Sequence, residues 1–155
     1  MRLYLAALIA VALTGCATSP NTSGSAACHR ASDQEVADLF SQWNAALKTG
    51  QPETVAALYS PDSVLLPTLS DTPRLTAPAK VDYFQHFLEK RPVGTINQRH
   101  VFIECNAAID TGLYTFAFND GSSAKARYTF TYHWDGHKWL ITTHHSSLMP
   151  ESSRR

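Results

Sequence analysis

The sequence predicts an α+β domain in which three N-terminal helices pack on one strongly curved, mainly antiparallel β-sheet. Helical apolar spacing is confined to the first half of the folded region, and the second half alternates apolar and polar residues as strands do. Helices that precede a run of antiparallel strands are typical of the α+β class. With 155 residues and 44% hydrophobic content, the chain can form one such domain with its own core.

Three helices are predicted before the main sheet. The first begins at the capping-box sequence Ser32-Asp33-Gln34-Glu35 and carries apolar residues at helical spacing as far as Gly50. Pro52 opens a short second helix, and Pro78 opens a third. A brief apolar run, Val64–Leu66, is predicted as a strand between the second and third helices.

Four strands follow the helices, and the last two form a predicted hairpin about Asp135-Gly136. An Asp-Gly pair between alternating strands is typical of a two-residue type I′ turn, which fixes the register of the hairpin. That register pairs Tyr132 with Trp139 and Phe130 with Ile141. The aromatic face is therefore expected to pack on the helices, and the opposite, threonine-rich face is expected to lie outside.

Two adjacent histidines, His144 and His145, end the hairpin. The predicted register places His145 opposite Ala126 on the inner face and His144 opposite Arg127 on the outer face, although a β-bulge would invert these facings. Residues on opposite faces cannot hold one metal ion together, and the other histidines lack ligand spacing. The sequence therefore predicts His145 as the functional histidine, with no metal and no other cofactor.

Several short motifs resemble those of one superfamily. They are Asp135-Gly136-His137-Lys138-Trp139-Leu140-Ile141, the closing His145-Ser146-Ser147 with Pro150, and Tyr83-Phe84 in the third helix. In this order, residues 32–150 resemble the cone-shaped nuclear-transport-factor-2-like (SnoaL-like) superfamily, and most closely the calcium/calmodulin-dependent protein kinase II association (hub) domain. The resemblance implies a cone with an internal cavity. It also aligns Ser146 with an arginine of the hub's pocket.

The N-terminus resembles a bacterial lipoprotein signal peptide. Its apolar run, Leu3–Leu13, is shorter than the roughly 20 residues that span a bilayer. The sequence Leu13-Thr14-Gly15-Cys16 resembles a lipobox, which implies removal of residues 1–15 and lipidation of Cys16. Residues 16–31 are then a lipidated, flexible tether, and residues 151–155 are a tail. The expected location is the bacterial periplasm or outer surface, with membrane attachment through the lipid alone.

Export also affects the two remaining cysteines, Cys28 and Cys105. Disulfides persist in oxidising compartments, so the two are predicted to form a bond. The alternative is a buried Cys105 beside a free Cys28.

The favoured function is the binding of a small, partly apolar ligand in the cone cavity. Thirteen basic and thirteen acidic residues give no net charge, so no nucleic-acid partner is expected. No kinase sequence accompanies residues 32–150 here, and no kinase activity is expected. The predicted ligand-binding residues are His145, Ser147, Tyr128, Thr143, Tyr83, Tyr59 and Trp43.

Two alternatives remain open. One is a small cofactor-independent enzyme that transfers protons, of the isomerase, dehydratase or cyclase type, with His145 as the base and Tyr59, Tyr83 or Tyr128 as hydrogen-bond donors. No acidic residue is placed clearly on the inner face. The other is an oligomerising module, since the hub acts by assembly. A homodimer would then form through the outer face of the hairpin, at Thr129, Thr131, Leu140 and Thr142.

Overall fold

The computed structural model describes residues 28–68 and 70–150. The predicted signal peptide, Cys16 and residues 151–155 lie outside the described residues. The helices are α1 (Asp33–Lys48), α2 (Pro52–Ala56) and α3 (Ala77–Leu88), and the strands are β1 (Tyr59–Leu66), β2 (Val93–Glu104), β3 (Ala107–Ala117), β4 (Ser123–Trp134) and β5 (Trp139–Leu148). Within the described ranges, no helix is long and apolar enough to cross a membrane.

The strands form one curved, mixed sheet in the order β1-β5-β4-β3-β2. Strand β1 runs parallel to β5, and all other neighbours are antiparallel. The core lies between the inner face of this sheet and the helices. The predicted α+β class and the predicted order of helices and strands are confirmed.

Local sequence signals account for the ends of α1 and α3. The Ser32 hydroxyl accepts a hydrogen bond from the Glu35 backbone N–H at 3.1 Å and caps α1. Thr76 caps α3 in the same way, because its hydroxyl accepts from the Ala79 N–H at 3.3 Å. Both caps satisfy donors that a helix leaves unpaired at its N-terminus.

Strand β2 approaches β3 closely at Gly112. A side chain at this position would place its Cβ 2.0 Å from the Gln98 carbonyl oxygen, so only glycine fits. The register of β2 shifts between Ile96 and Gln98, which leaves Asn97 as the bulged residue. Bulges bend a strand and increase its twist, which helps the sheet curve around the helices.

The predicted disulfide between Cys28 and Cys105 is present, with a Cα–Cα distance of 5.2 Å. Hydrogen bonds beside it join the same segments. Asn106 Oδ1 accepts from the His29 backbone N–H at 2.7 Å, and the Asn106 N–H donates to the His29 carbonyl at 2.9 Å. The His29 ring stacks on Trp134 with centroids 4.0 Å apart. The segment before α1 is thus attached where β2 ends and β3 begins.

The predicted two-residue hairpin turn is wrong. Trp134 pairs with Trp139, so four residues form the turn. The Asp135 carboxylate stabilises this longer turn by accepting from the backbone N–H groups of His137 and Lys138, each at 2.8 Å. Pairing therefore moves by two positions relative to the prediction. A two-residue shift preserves facing, and Trp139 is buried inside as predicted.

A β-bulge in β5 changes the facing of every later residue in that strand. Tyr132 pairs with Ile141, but the next residue back, Thr131, pairs with Thr143, so Thr142 is the extra residue. Because side chains alternate with period two, one extra residue turns the rest of the strand over. The predicted inward facing of Thr143 is therefore wrong.

The bulge also exchanges the facings of the two adjacent histidines. His144 pairs with Phe130 and is buried on the inner face, with 4% of its surface exposed. His145 pairs with Thr129 and is exposed on the outer face. Ser147, predicted to face inward with His145, lies half-buried beside it on the outer face. The inner-face placement of His145 and Ser147 is thus corrected.

Candidate functional site

A narrow cavity lies at the end of the sheet where β3 ends and β4 begins. The space inside it that a water-sized sphere can occupy is about 20 Å³. Helices α1 and α3 and strand β3 supply aromatic walls, and the remaining polar lining comes from Thr68, His144 and Ser146. The aromatic side chains of the wall are Trp43, Tyr83, Phe84, Phe87, Tyr114, Phe116 and Phe118.

A buried chain of hydrogen bonds supports one side of this cavity. The Trp43 indole Nε1–H donates to the Tyr59 hydroxyl oxygen at 3.1 Å. The same oxygen lies 2.8 Å from His144 Nδ1. Since the indole can only donate, the Tyr59 proton is free to be donated to Nδ1, and the His144 proton then lies on Nε2. We call this chain the Trp43–Tyr59–His144 relay.

His144 is held as a neutral imidazole. Its ring stacks on Phe130 at 3.9 Å between centroids, and Trp43 meets it edge-on at 5.2 Å. Burial in these apolar surroundings lowers the pKa of His144 from 6.5 to about 3, with a smaller contribution from the nearby charge of His145. At neutral pH the ring therefore carries no charge.

The free nitrogen of His144 is the most unusual polar atom of the site. Nε2 is buried and has no hydrogen-bond partner among the described residues, and the His144 side chain lines the cavity. Buried polar groups in folded proteins are nearly always paired. The relay therefore leaves an unsatisfied N–H donor on a residue that lines the cavity.

A second group of polar atoms lies close by. The Tyr114 hydroxyl donates to Ser146 Oγ at 2.5 Å, and the Thr68 hydroxyl contacts the same oxygen. Burial raises the pKa of Tyr114 to about 12, so its hydroxyl stays protonated. These hydroxyls satisfy one another, so among the described residues that line the cavity His144 Nε2 is the buried polar atom left unpaired.

The structure brings together only some of the predicted ligand-binding residues. Trp43 and Tyr83 line the cavity, and Tyr59 reaches it through His144. Tyr128 is inside but away from the cavity, with its hydroxyl donating to Asp110 at 2.7 Å. Thr143, with the outward-facing His145 and Ser147, does not line the cavity. Trp43, Tyr83 and Tyr59 therefore stay in the candidate site.

Sequence reasoning missed His144 and Ser146, although one signal for them was present. Ser146 aligns with an arginine of the hub's pocket, which implies an inward position. Period-two alternation then puts His144, two residues earlier, on the same face. That alignment conflicted with the predicted hairpin register, and the structure agrees with the alignment.

An acidic residue does lie on the inner face, contrary to the sequence-based expectation. Asp110 is fully buried, and Arg99 Nε lies 3.1 Å from both of its carboxylate oxygens. The Tyr128 hydroxyl donates to the same carboxylate, which is thus fully occupied and does not line the cavity. We assign Asp110 a structural role. Within residues 28–68 and 70–150, no cluster of three or more metal-ligating side chains occurs.

The curved mixed sheet, the helices on its inner face and the cavity at one end define a cone of the nuclear-transport-factor-2-like class. The chain belongs to the calcium/calmodulin dependent protein kinase II association domain family, whose profile matches residues 32–150. The predicted family resemblance is therefore confirmed. No curated protein sequence gives a significant match.

Solved structures agree with this assignment. A proposed calcium/calmodulin dependent protein kinase II association domain from Xanthomonas campestris is 50% identical, with a TM-score of 0.73 over 78% of this chain and 90% of the other. A proposed dehydratase of the NTF2-like family from Streptomyces avermitilis is 13% identical, with a TM-score of 0.67 over 76% and 95%. An NTF2-like protein from Novosphingobium aromaticivorans is 12% identical, with a TM-score of 0.64 over 77% and 83%. The last two similarities show the fold alone.

Proposed function

We propose that the protein binds a small, partly apolar ligand in the cavity of the cone. The observation that carries this proposal is the unpaired, buried Nε2–H of His144, a residue of the mainly aromatic cavity wall. A buried donor without a partner costs about 1–3 kcal/mol, which an acceptor on a ligand would recover. The space that a water-sized sphere can occupy in the cavity is about 20 Å³, enough for about one water molecule, so the aromatic side chains of the wall must move apart to admit the body of a ligand.

The geometry favours a ligand with two features. A carbonyl or ether oxygen would accept from His144 Nε2–H. A flat apolar body would contact the rings of Tyr83, Phe87 and Phe116, which line the cavity. Such a ligand replaces no existing hydrogen bond of the relay.

The two adjacent histidines provide a direct test with trans-cinnamamide, a neutral probe that has a phenyl ring and a carbonyl acceptor. Calorimetric titration should show binding to the wild type. His144→Phe replaces the imidazole with a phenyl ring and so removes both nitrogens, and it should weaken binding by about tenfold. His145→Gln, on the outer face, is the control and should bind as the wild type does. Equal loss in both variants, or loss in the His145 variant alone, would contradict the proposal.

Catalysis by proton transfer receives less support from the same site. A histidine with a pKa of about 3 is a weak base at neutral pH. The carboxylate on the inner face, Asp110, is paired with Arg99 and does not line the cavity. We therefore rank binding above an isomerase- or dehydratase-type reaction.

We further infer that copies of the chain associate through the outer face of the sheet. Phe102 and Ile109 pair across β2 and β3, and 60% and 38% of their surfaces are exposed. Exposed apolar side chains grouped on a sheet face are typical of contact surfaces. The family of association domains supports assembly. Sedimentation velocity should show a dimer that Phe102→Asp converts to a monomer, whereas a monomeric wild type at micromolar concentration would contradict the inference.

The sequence motif at Cys16 supports export and lipid anchoring. The disulfide and the His29–Trp134 stack attach the N-terminal segment at the start of β3, and the cavity lies at the end of that strand, about 35 Å away. Metabolic labelling with a fatty acid should mark the wild type and not Cys16→Ser, and equal labelling of both would contradict anchoring.

A further inference from the structure

A second pocket adjoins the cavity on the outer side of α3. The two share Tyr83 and Phe87, and the second has a volume of about 290 Å³. Its other lining residues are Ser70, Arg74, His86 and Lys90. The lining thus combines two permanent cations, a histidine and a hydroxyl with two aromatic rings, and it includes no carboxylate.

Arg74 is held in place at this pocket by its backbone. It exchanges two hydrogen bonds with Leu65, a buried residue of the cavity wall, at 3.1 and 2.8 Å. Its guanidinium carbon lies 5.9 Å from the Tyr83 ring centroid. Asp82 accepts from Nη1 at 2.9 Å, while Nε is buried and has no partner within the described part of the chain. The guanidinium therefore keeps donors that its own ion pair leaves unused.

Of the two other basic side chains, Lys90 is available to an anion. Lys90 Nζ lies 5.6 Å from the Phe118 ring centroid and forms no salt bridge with any described residue. The nearby Asp120 carboxylate accepts from the Ser122 N–H and hydroxyl. His86 Nδ1 donates to the Asp82 carbonyl oxygen at 2.9 Å, so Nε2 of the neutral ring carries a lone pair and offers no donor to an anion. Lys90 and His86 are both exposed.

We propose that this pocket is the subsite for an anionic group, a carboxylate, on the same ligand whose apolar body lies in the aromatic cavity. The inference rests on the proposed function, since Tyr83 and Phe87 join the two spaces. The ligand class is then a small aryl or otherwise flat monocarboxylate. Its acidic group meets Arg74 and Lys90, and its body lies between the rings toward His144.

The test compares trans-cinnamate with trans-cinnamamide, which have the same body and differ in the charge of the head group. Calorimetry on the wild type should show that cinnamate binds at least about tenfold more tightly than cinnamamide, because its carboxylate can form charge-assisted hydrogen bonds. Arg74→Gln and Lys90→Gln should each reduce this preference by about threefold or more and leave cinnamamide binding unchanged. Lys138→Gln removes an exposed lysine in the hairpin turn at the other end of the sheet, and it should retain the full preference.

The other possible outcomes show whether the anionic subsite, the proposed function or both are wrong. Equal binding of both probes to the wild type would overturn the anionic subsite and leave the cavity as a ligand site. Binding of neither probe would overturn both. Inorganic phosphate should fail to displace cinnamate, because it has no apolar body. If phosphate displaced cinnamate at equal concentration, the pocket would bind a free phosphate without any help from the aromatic cavity. That result would overturn the inference that one ligand occupies both spaces.

Discussion

Replacing Tyr59 by phenylalanine removes one oxygen atom from the centre of the Trp43–Tyr59–His144 relay. That oxygen accepts from Trp43 Nε1 at 3.1 Å and lies 2.8 Å from His144 Nδ1. Trp43 is 1% exposed and His144 4%, so bulk water cannot replace the lost partner. The phenyl ring itself stays, and almost no apolar contact is lost.

The expected cost follows from the two groups that lose their partner. Each buried polar group left unpaired costs about 1–3 kcal/mol, so the two together predict a fall of about 2–6 kcal/mol in the free energy of unfolding. A loss of this size is a large part of the stability of a single domain. The ring of His144 would also lose the contact that fixes its tautomer, so binding of trans-cinnamamide should weaken in the same variant.

Urea unfolding followed by tryptophan fluorescence measures the change in the free energy of unfolding. An unchanged slope of that free energy against urea concentration would show that the folded state is otherwise intact. Tyr83→Phe is the matched control. It removes a hydroxyl from the cavity wall that has no hydrogen bond to any described residue, and it should change stability by less than about 0.5 kcal/mol. If Tyr59→Phe is as stable as this control, the relay does not hold His144 and the proposed role of Nε2 loses its basis.

Three further predictions concern stability. Burial holds the pKa of His144 at about 3 in the folded chain, against 6.5 when exposed, so the unfolded chain takes up the proton first as pH falls. The free energy of unfolding of the wild type should therefore be unaffected by this histidine above about pH 6.5 and should fall by about 3 kcal/mol by pH 4.5. Urea titrations of His144→Phe should not show this fall. Cys28→Ser should cost up to about 4 kcal/mol for a separation of 77 residues, and denatured, unreduced wild type should titrate no thiol from residues 28 and 105. Asp110→Asn should cost about 2–4 kcal/mol by leaving Arg99 without its charge partner, whereas the exposed Asp62→Asn should be neutral.

Much of the fold could be predicted because its signals are short-range. The capping residue Ser32 and the helical spacing after it define α1 within a few positions. Alternation along β4 correctly predicted that Tyr128, Phe130 and Tyr132 face inward. Such patterns depend on neighbours in the chain, and tertiary packing only reinforces them.

The sequence by itself determined the class of protein: the order of helices and strands, the pairing of Cys28 with Cys105 and the family to which residues 32–150 belong. Only the tertiary structure decided which histidine faces the cavity. No glycine, proline or turn motif marks Thr142 as a bulge. The partners that His144 gains by facing inward, Tyr59 and Trp43, lie 85 and 101 residues away in the chain. Because a single extra residue reverses a strand, a contact between distant segments outweighed the local turn signal.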